Sequence, residues 1–214
     1  MDRNSQPVLL DVDKPAEKIL FGTHRQILSI ALSPDERWLA AGIWNGGVLV
    51  WDTKSPGKPV RQLAASMAAV AFSPDGKWLV TGAMADYRFW KVGSWQAGPV
   101  FPREHEMEGP GPLAFSKDGR ILAIAYSGQN VRLIDPDSGK ELATLSAPDP
   151  RIIWDLAFSQ DGSLLAAATT NHVIQLWDLR KIRRHLATMG LDWDSPLYPP
   201  LSRKDKGSQL IFDP

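Results

Sequence analysis

Glu104, His105, Glu106 and Glu108 form one dense group of carboxylates and imidazole, a set that could in principle hold a hard or borderline metal. The stretch around them, Phe101 to Pro112, is rich in Pro and Gly and reads instead as a solvated loop, so no metal site is expected. There is no cysteine, which excludes thiolate metal sites, disulfides and cysteine nucleophiles. The Gly-x-x-x-x-Gly-Lys-Ser/Thr, His-Glu-x-x-His and Gly-x-Ser-x-Gly signatures are missing from the chain. His24 stands apart from any nucleophile it could activate and reads as a hydrogen-bonded structural histidine. The expectation is therefore binding without catalysis, with no catalytic residue and no cofactor.

Trp is the residue whose spacing carries information. Nine Trp accompany only three Tyr and seven Phe, and several recur at a fixed interval. Four segments align: ALSPDERWLAAG from Ala31, AFSPDGKWLVTG from Ala71, AFSKDGRILAIA from Ala114 and AFSQDGSLLAAA from Ala157. Their serines, Ser33, Ser73, Ser116 and Ser159, lie 40, 43 and 43 residues apart. A second series marches with the first: VLVWD ending at Asp52, YRFWK around Trp90, VRLID ending at Asp135 and IQLWD ending at Asp178. Ile27 to Leu32, Val70 to Phe72, Leu113 to Phe115 and Ile152 to Phe158 are short apolar runs bounded by turn residues, as expected of strands covered on both faces. The Ser-Pro-Asp-Gly type element after each run is a tight hairpin, Pro presetting φ and Gly accepting the left-handed position. Glu36 breaks that rule, standing where Gly76, Gly119 and Gly162 stand elsewhere.

A period of 40 to 43 residues with a Trp-Asp ending resembles the WD-repeat family, over residues 8 to 178 or so. The resemblance implies an all-β propeller of about four blades, each of four strands, with protein or peptide binding as its commonest role. The alternative, a propeller-type hydrolase, would need convergent titratable groups at the central channel, where Asn45, Met84, Gly128 and Asn171 stand instead. It also implies a buried chain in each blade of His, Ser or Thr, Asp and Trp. The residues carried over as structural positions are His24, Trp51, Asp52, Thr81, Trp90, Asp135, Trp177 and Asp178. No repeat keeps the whole chain: Ala41 and Asn45 depart in the first, Met84 in the second, Gly128 and Ile134 in the third, Ala167 and Asn171 in the fourth. Apolar packing and backbone ladders must then hold the blades. The family's binding rim maps to Arg25, Trp44, Asn45, Met84, Asp86, Gln129, Trp154, Thr170 and Asn171. Trp38, Trp78 and Trp95 are expected to pack on blade edges.

Residues 1–22 read as a partial leading blade, Pro7 to Val12 being the tail of an earlier repeat and Lys18 to Phe21 its outer strand. Residues 23–178 hold the four repeats, and the last, from Ile152 to Trp177, lacks an outer strand of its own. Either the leading strand near Ile19 closes a four-blade ring or the blades form an open arc; the open or incomplete ring is the expectation. An open arc would expose apolar sheet faces able to bind a second copy or a second propeller fragment. Leu179, Ile182, Leu186 and Met189 recur at helical spacing behind Asp178, so residues 179–190 are expected to form a short amphipathic helix that could cover an exposed edge. Its basic face, Arg180, Lys181, Arg183, Arg184 and His185, reads as solvated rather than as a nucleic-acid site. Residues 191–214 read as an irregular tail, and MGLDWDSPLYPP within 189–200 resembles segments that follow the repeats of bacterial multidomain WD proteins, some fused to protein kinases.

Lys plus Arg equals Asp plus Glu at 24 each, so no overall field favours nucleic acid or an anionic membrane. The start lacks an apolar stretch of signal length, and no segment approaches a membrane span of about 18 apolar residues. A cytoplasmic location is expected.

Overall fold

A computed structural model describes residues 4–5, 7–10, 13–14, 16, 18–21, 24–55, 57–63, 67–104, 109–147, 151–170 and 172–198, with backbone alone at 4–5 and 24–25. The leading segment contains β1 (Asn4–Ser5), β2 (Val8–Leu10), β3 (Lys18–Leu20) and β4 (His24–Arg25). β1 pairs with β4, and β2 pairs with β3, each antiparallel. Three four-stranded antiparallel sheets follow. Blade one is β5 (Ile27–Leu32), β6 (Trp38–Ile43), β7 (Gly47–Asp52) and β8 (Arg61–Leu63). Blade two is β9 (Ala69–Phe72), β10 (Trp78–Gly82), β11 (Asp86–Lys91) and β12 (Ala97–Pro102). Blade three is β13 (Leu113–Phe115), β14 (Leu122–Ala125), β15 (Asn130–Ile134) and β16 (Glu141–Ser146). Blade four has three strands, β17 (Ile153–Phe158), β18 (Leu164–Thr169) and β19 (Ile174–Asp178), and runs into helix α1 (Leu179–Thr188).

The repeated serine builds the turn at the base of every blade. Each serine hydroxyl accepts the backbone N–H five residues on, at 2.8 to 3.0 Å, from Trp38, Trp78, Ile121 and Leu164. Each also donates to the Asp two residues on, Asp35, Asp75, Asp118 or Asp161. The same carboxylates accept the N–H of Arg37, Lys77, Arg120 and Ser163. Backbone N–H groups of Glu36, Gly76, Gly119 and Gly162 close the turn onto the serine carbonyls at 2.8 to 2.9 Å. All four closing residues are left-handed, Gly76, Gly119 and Gly162 at φ 71, 74 and 72° and Glu36 at φ 59°, so blade one carries a side chain where the turn favours glycine.

Between blades the packing repeats as well. Val48, Val50, Leu63 and Ala40 of blade one meet Val70, Phe72, Leu79 and Trp90 of blade two. Val80, Tyr87 and Phe89 meet Leu122, Ile124 and Ile134. Ala123, Val131 and Leu133 meet Leu156, Leu165 and Ala167. The middle strands are therefore apolar on both faces, as their sequence requires. On the other face of blade one, Leu9, Ile19 and Phe21 of the leading segment cluster with Leu39, Ala41 and Ile43 of β6 and Leu49 and Trp51 of β7, leaving Ile30 and Leu32 of β5 exposed.

The arc is open. Among the described residues no strand of blade four pairs with the leading ribbon or with blade one. Register makes the ends measurable: Gly42 faces Val48, Gly82 faces Tyr87, Ala125 faces Val131 and Ala168 faces Ile174. Val48, Tyr87 and Val131 are 0% exposed, whereas Ile174 is 65% exposed. At the other end Ile30, which corresponds to Val70, Leu113 and Leu156, is 63% exposed, whereas Val70 and Leu156 are 7% and 5% exposed and Leu113 is half-buried. The Val48 position is thus sealed inside the arc and open at blade four, and Ile30 is the most exposed of its own series.

The α1 helix begins at Asp178, whose carboxylate accepts the N–H of Arg180 and Lys181. It does not cover the open face. Leu179, Ile182 and Leu186 pack instead with Leu145 and Leu142 of β16, Trp177 and Trp193, closing the outer part of the gap between blades three and four, where a fourth strand would lie. The basic face is not uniformly solvated either. Arg183 is buried, makes a two-point pair with Asp192 at 2.9 and 3.0 Å and donates to the carbonyls of Trp193, Ser195 and Pro196. Arg180 pairs with Asp161 of the blade-four turn. Arg180 and Arg183, two of these five basic residues, therefore hold the helix and residues 191–198 against the blades.

Candidate functional site

The turns joining second to third strands and the loops that lead into each first strand emerge at one end of the arc, opposite the serine turns. Four short turns build this rim. Gly46 N–H donates to Ile43, and Gly47 takes φ 77°, which throws Trp44 and Asn45 outward. Ala83 N–H donates to Asp86 across Met84 and Ala85. Ser127 accepts from the N–H groups of Gln129 and Asn130. Thr169 donates through both its N–H and its hydroxyl to the Val173 carbonyl beneath Thr170.

Trp44, Asn45, Met84, Gln129, Trp154 and Thr170 are all exposed on this rim. Asp86 differs: it is half-buried, and Arg88, two residues on in β11, grips its carboxylate at 2.9 and 2.8 Å. Asn171 and the side chains of His24 and Arg25 lie outside the described residues. So do His105, Glu106 and Glu108 of the acidic cluster, while Glu104 is exposed. Among the described residues no group of His, Cys, Asp or Glu could hold a metal ion.

The structural positions divide by what they touch. The indole of Trp90 donates to the Thr81 hydroxyl at 3.1 Å inside blade two. Trp51 is fully buried, edge-on to Phe21 at 6.0 Å. Trp177 packs with the blade three–four core. Asp52, Asp135 and Asp178 each accept the N–H two residues on, from Lys54, Asp137 and Arg180, so this Asp caps the chain as it leaves the third strand. Trp38 and Trp95 stack edge to face at 5.2 Å, and Trp78 packs on Phe89 at 5.7 Å.

Two residues beneath the rim went unread in the sequence. Tyr87 is buried, and its hydroxyl reaches the carbonyls of Pro112 and Ala125 at 3.0 and 2.9 Å. Burial pushes its pKa well above the ordinary tyrosine value. Arg103 is also buried and donates to the carbonyls of Ala83, Gly109 and Ala125, which ties the rim ends of blades two and three together. Burial lowers its pKa from the ordinary arginine value. Neither follows a repeat motif; the available signals were an aromatic with a polar tip in an inward position and a lone cation at a strand end.

At the mouth of the arc the first strands of all four blades border one cavity of about 350 Å³, with Leu28, Val70, Leu113, Trp154 and Asp155 among its walls. No helix among the described residues is long and apolar enough to cross a membrane.

Compared with known proteins, the chain matches the family model "WD domain, G-beta repeat" over residues 17–52, 57–87 and 139–178, together half of its 214 residues. It is similar to WD repeat-containing protein 82 of Drosophila melanogaster, with 24% identity over 130 residues, 58% of this chain and 41% of that protein. The chain thus spans about two fifths of the length of this relative. The repeated serine turns, the radial stacking of four sheets and the family match agree, and the chain belongs to the WD domain, G-beta repeat family.

Proposed function

We infer that this protein is a noncatalytic scaffold that binds a protein or peptide partner across the propeller rim, in the cytoplasm. The observation that carries this reading is the convergence of exposed apolar side chains on one end: Trp44, Met84 and Trp154. Exposed aromatic side chains are the groups that dominate binding energy when a partner desolvates them. Affinity capture with the whole chain tests it. Partners held by the native protein should be lost with Trp44→Ala and kept with Lys117→Ala, a change in the serine turn at the opposite end. Equal capture by the native and Trp44→Ala proteins would overturn the rim reading.

A second reading rests on the open ends. Ile174 and Leu176 on one outer face, and Ile30 and Leu32 on the other, are of the kind that marks an association surface, and a second copy or another propeller fragment fits them. The blades would then be part of a larger regulatory WD assembly, of the kinase-linked bacterial kind that the Met189 to Pro200 string resembles. Light scattering across a dilution series decides: a defined oligomer that dissociates on dilution supports it, and a monomer at every concentration refutes self-association.

A further inference from the structure

The cavity at the mouth of the arc has two kinds of wall, set by the residues five and four places before each repeat serine. In blades two and three these are Ala68 and Ala69, then Gly111 and Pro112, and they lie tight against the preceding blade. A Cβ at Gly42 would meet the Ala68 carbonyl at 1.9 Å, and one at Gly82 would meet the Gly111 carbonyl at 2.1 Å. In blades one and four the strand register shifts at this place, between Ile27 and Ser29 and between Ile153 and Asp155. Such a bulge re-aims the extra residue, here Leu28 and Trp154. Small tucked residues thus face a large apolar side chain on one side and an aromatic-acid pair on the other.

Among the described residues Asp155 is the one ionisable side chain in the wall of this cavity. One of its oxygens accepts its neighbour's N–H, from Leu156 at 2.9 Å. Among the described residues no cation pairs with it. Beside it Trp154 is 63% exposed, although Trp is costly to leave in water. Leu28, Val70 and Leu113 supply an apolar lining. We propose that this cavity receives the cationic side chain of a partner peptide, arginine before lysine, its aliphatic stem against the apolar wall and its charge between the Trp154 ring and the Asp155 carboxylate. Arginine leads because its planar guanidinium stacks on an indole while its N–H fork reaches a carboxylate. At about 350 Å³ the cavity is large enough to admit a long side chain. The proposal rests on the rim-binding reading and names the chemistry that reading leaves open.

The test uses the whole chain and three capped tripeptides, Gly-X-Gly with X arginine, lysine or citrulline, titrated while the Trp154 indole N–H resonance is followed, assigned by its loss in Trp154→Phe. The arginine peptide should shift that resonance saturably, and neutral citrulline should bind at least about tenfold more weakly. Asp155→Asn, a change at an exposed side chain, should abolish the difference. Citrulline binding as well as arginine, discrimination surviving in Asp155→Asn, or no shift with any peptide would each overturn the assignment. Should capture of partners still depend on Trp44 after such a result, the rim reading stands while the cation pocket falls.

Discussion

Glu36 offers a clean measurement of what the repeat turn demands. It is exposed, its φ is 59°, and three glycines occupy the equivalent place at φ 71 to 74°. A left-handed backbone costs a residue with a Cβ about 1 to 2 kcal/mol, and glycine loses about 0.5 to 1 kcal/mol through its freer unfolded chain. Glu36→Gly should therefore stabilise by about 0.5 to 1 kcal/mol, which for a chain of this length raises Tm by about 1 to 4 °C. The reverse change, Gly76→Glu, should destabilise by a similar amount, because nothing lies within 4 Å of a Cβ built at Gly76 and only the backbone can object. Urea titrations of both variants at one pH, read by Trp fluorescence, give the two free energies. An unchanged or lower stability for Glu36→Gly would refute the turn reasoning, and so would a tolerated Gly76→Glu.

Gly82→Ala should destabilise by about 1 to 3 kcal/mol, since the added Cβ would sit 2.1 Å from the Gly111 carbonyl and 2.7 Å from the Tyr87 ring, and the inter-blade contact must part. A thermal melt that rises, as relief of glycine's unfolded-state entropy alone would give, contradicts this. Asp161 yields a pH prediction. Partial burial opposes its ionisation, but the hydroxyls of Ser163 and Ser159 and the charge of Arg180 outweigh that and hold its pKa at about 2, from an ordinary 3.8. Its contribution is therefore complete above about pH 4 and is lost as pH falls towards 2. Asp161→Asn should flatten the decline in stability over that interval, and an unaltered acid limb would count against it.

The periodic features of the chain were legible because each is enforced locally. The serine turn needs Ser, Asp and a left-handed residue within four positions, and the Trp-Asp ending needs an inward aromatic followed by a capping carboxylate. The open ends were legible from counting strands, although only register could show that Ile174 and Val131 occupy one position with opposite fates. Arg183 was misread because its spacing places it with the other helix cations, while its partner Asp192 lies nine residues later in a segment without periodicity. The amphipathic spacing of α1 names a buried face but not its partner, which is set by Leu142 and Leu145 of blade three together with Trp177 and Trp193. Tyr87, Arg103 and the bulge that turns Trp154 into the cavity depend on contacts between neighbouring repeats, and no single repeat encodes them.

The absence of native cysteine makes the open arc directly measurable by thiol labelling. Single-cysteine proteins would carry Ile174→Cys or Val131→Cys, changes at the same blade position, and would be reacted under native conditions at a dilution where light scattering shows one chain per particle. The thiol introduced at position 174 should react at nearly the rate of a free thiol, and that at position 131 only when the protein unfolds. Equal protection at both positions in the single chain would mean that another sheet already seals blade four, and the open arc would be wrong.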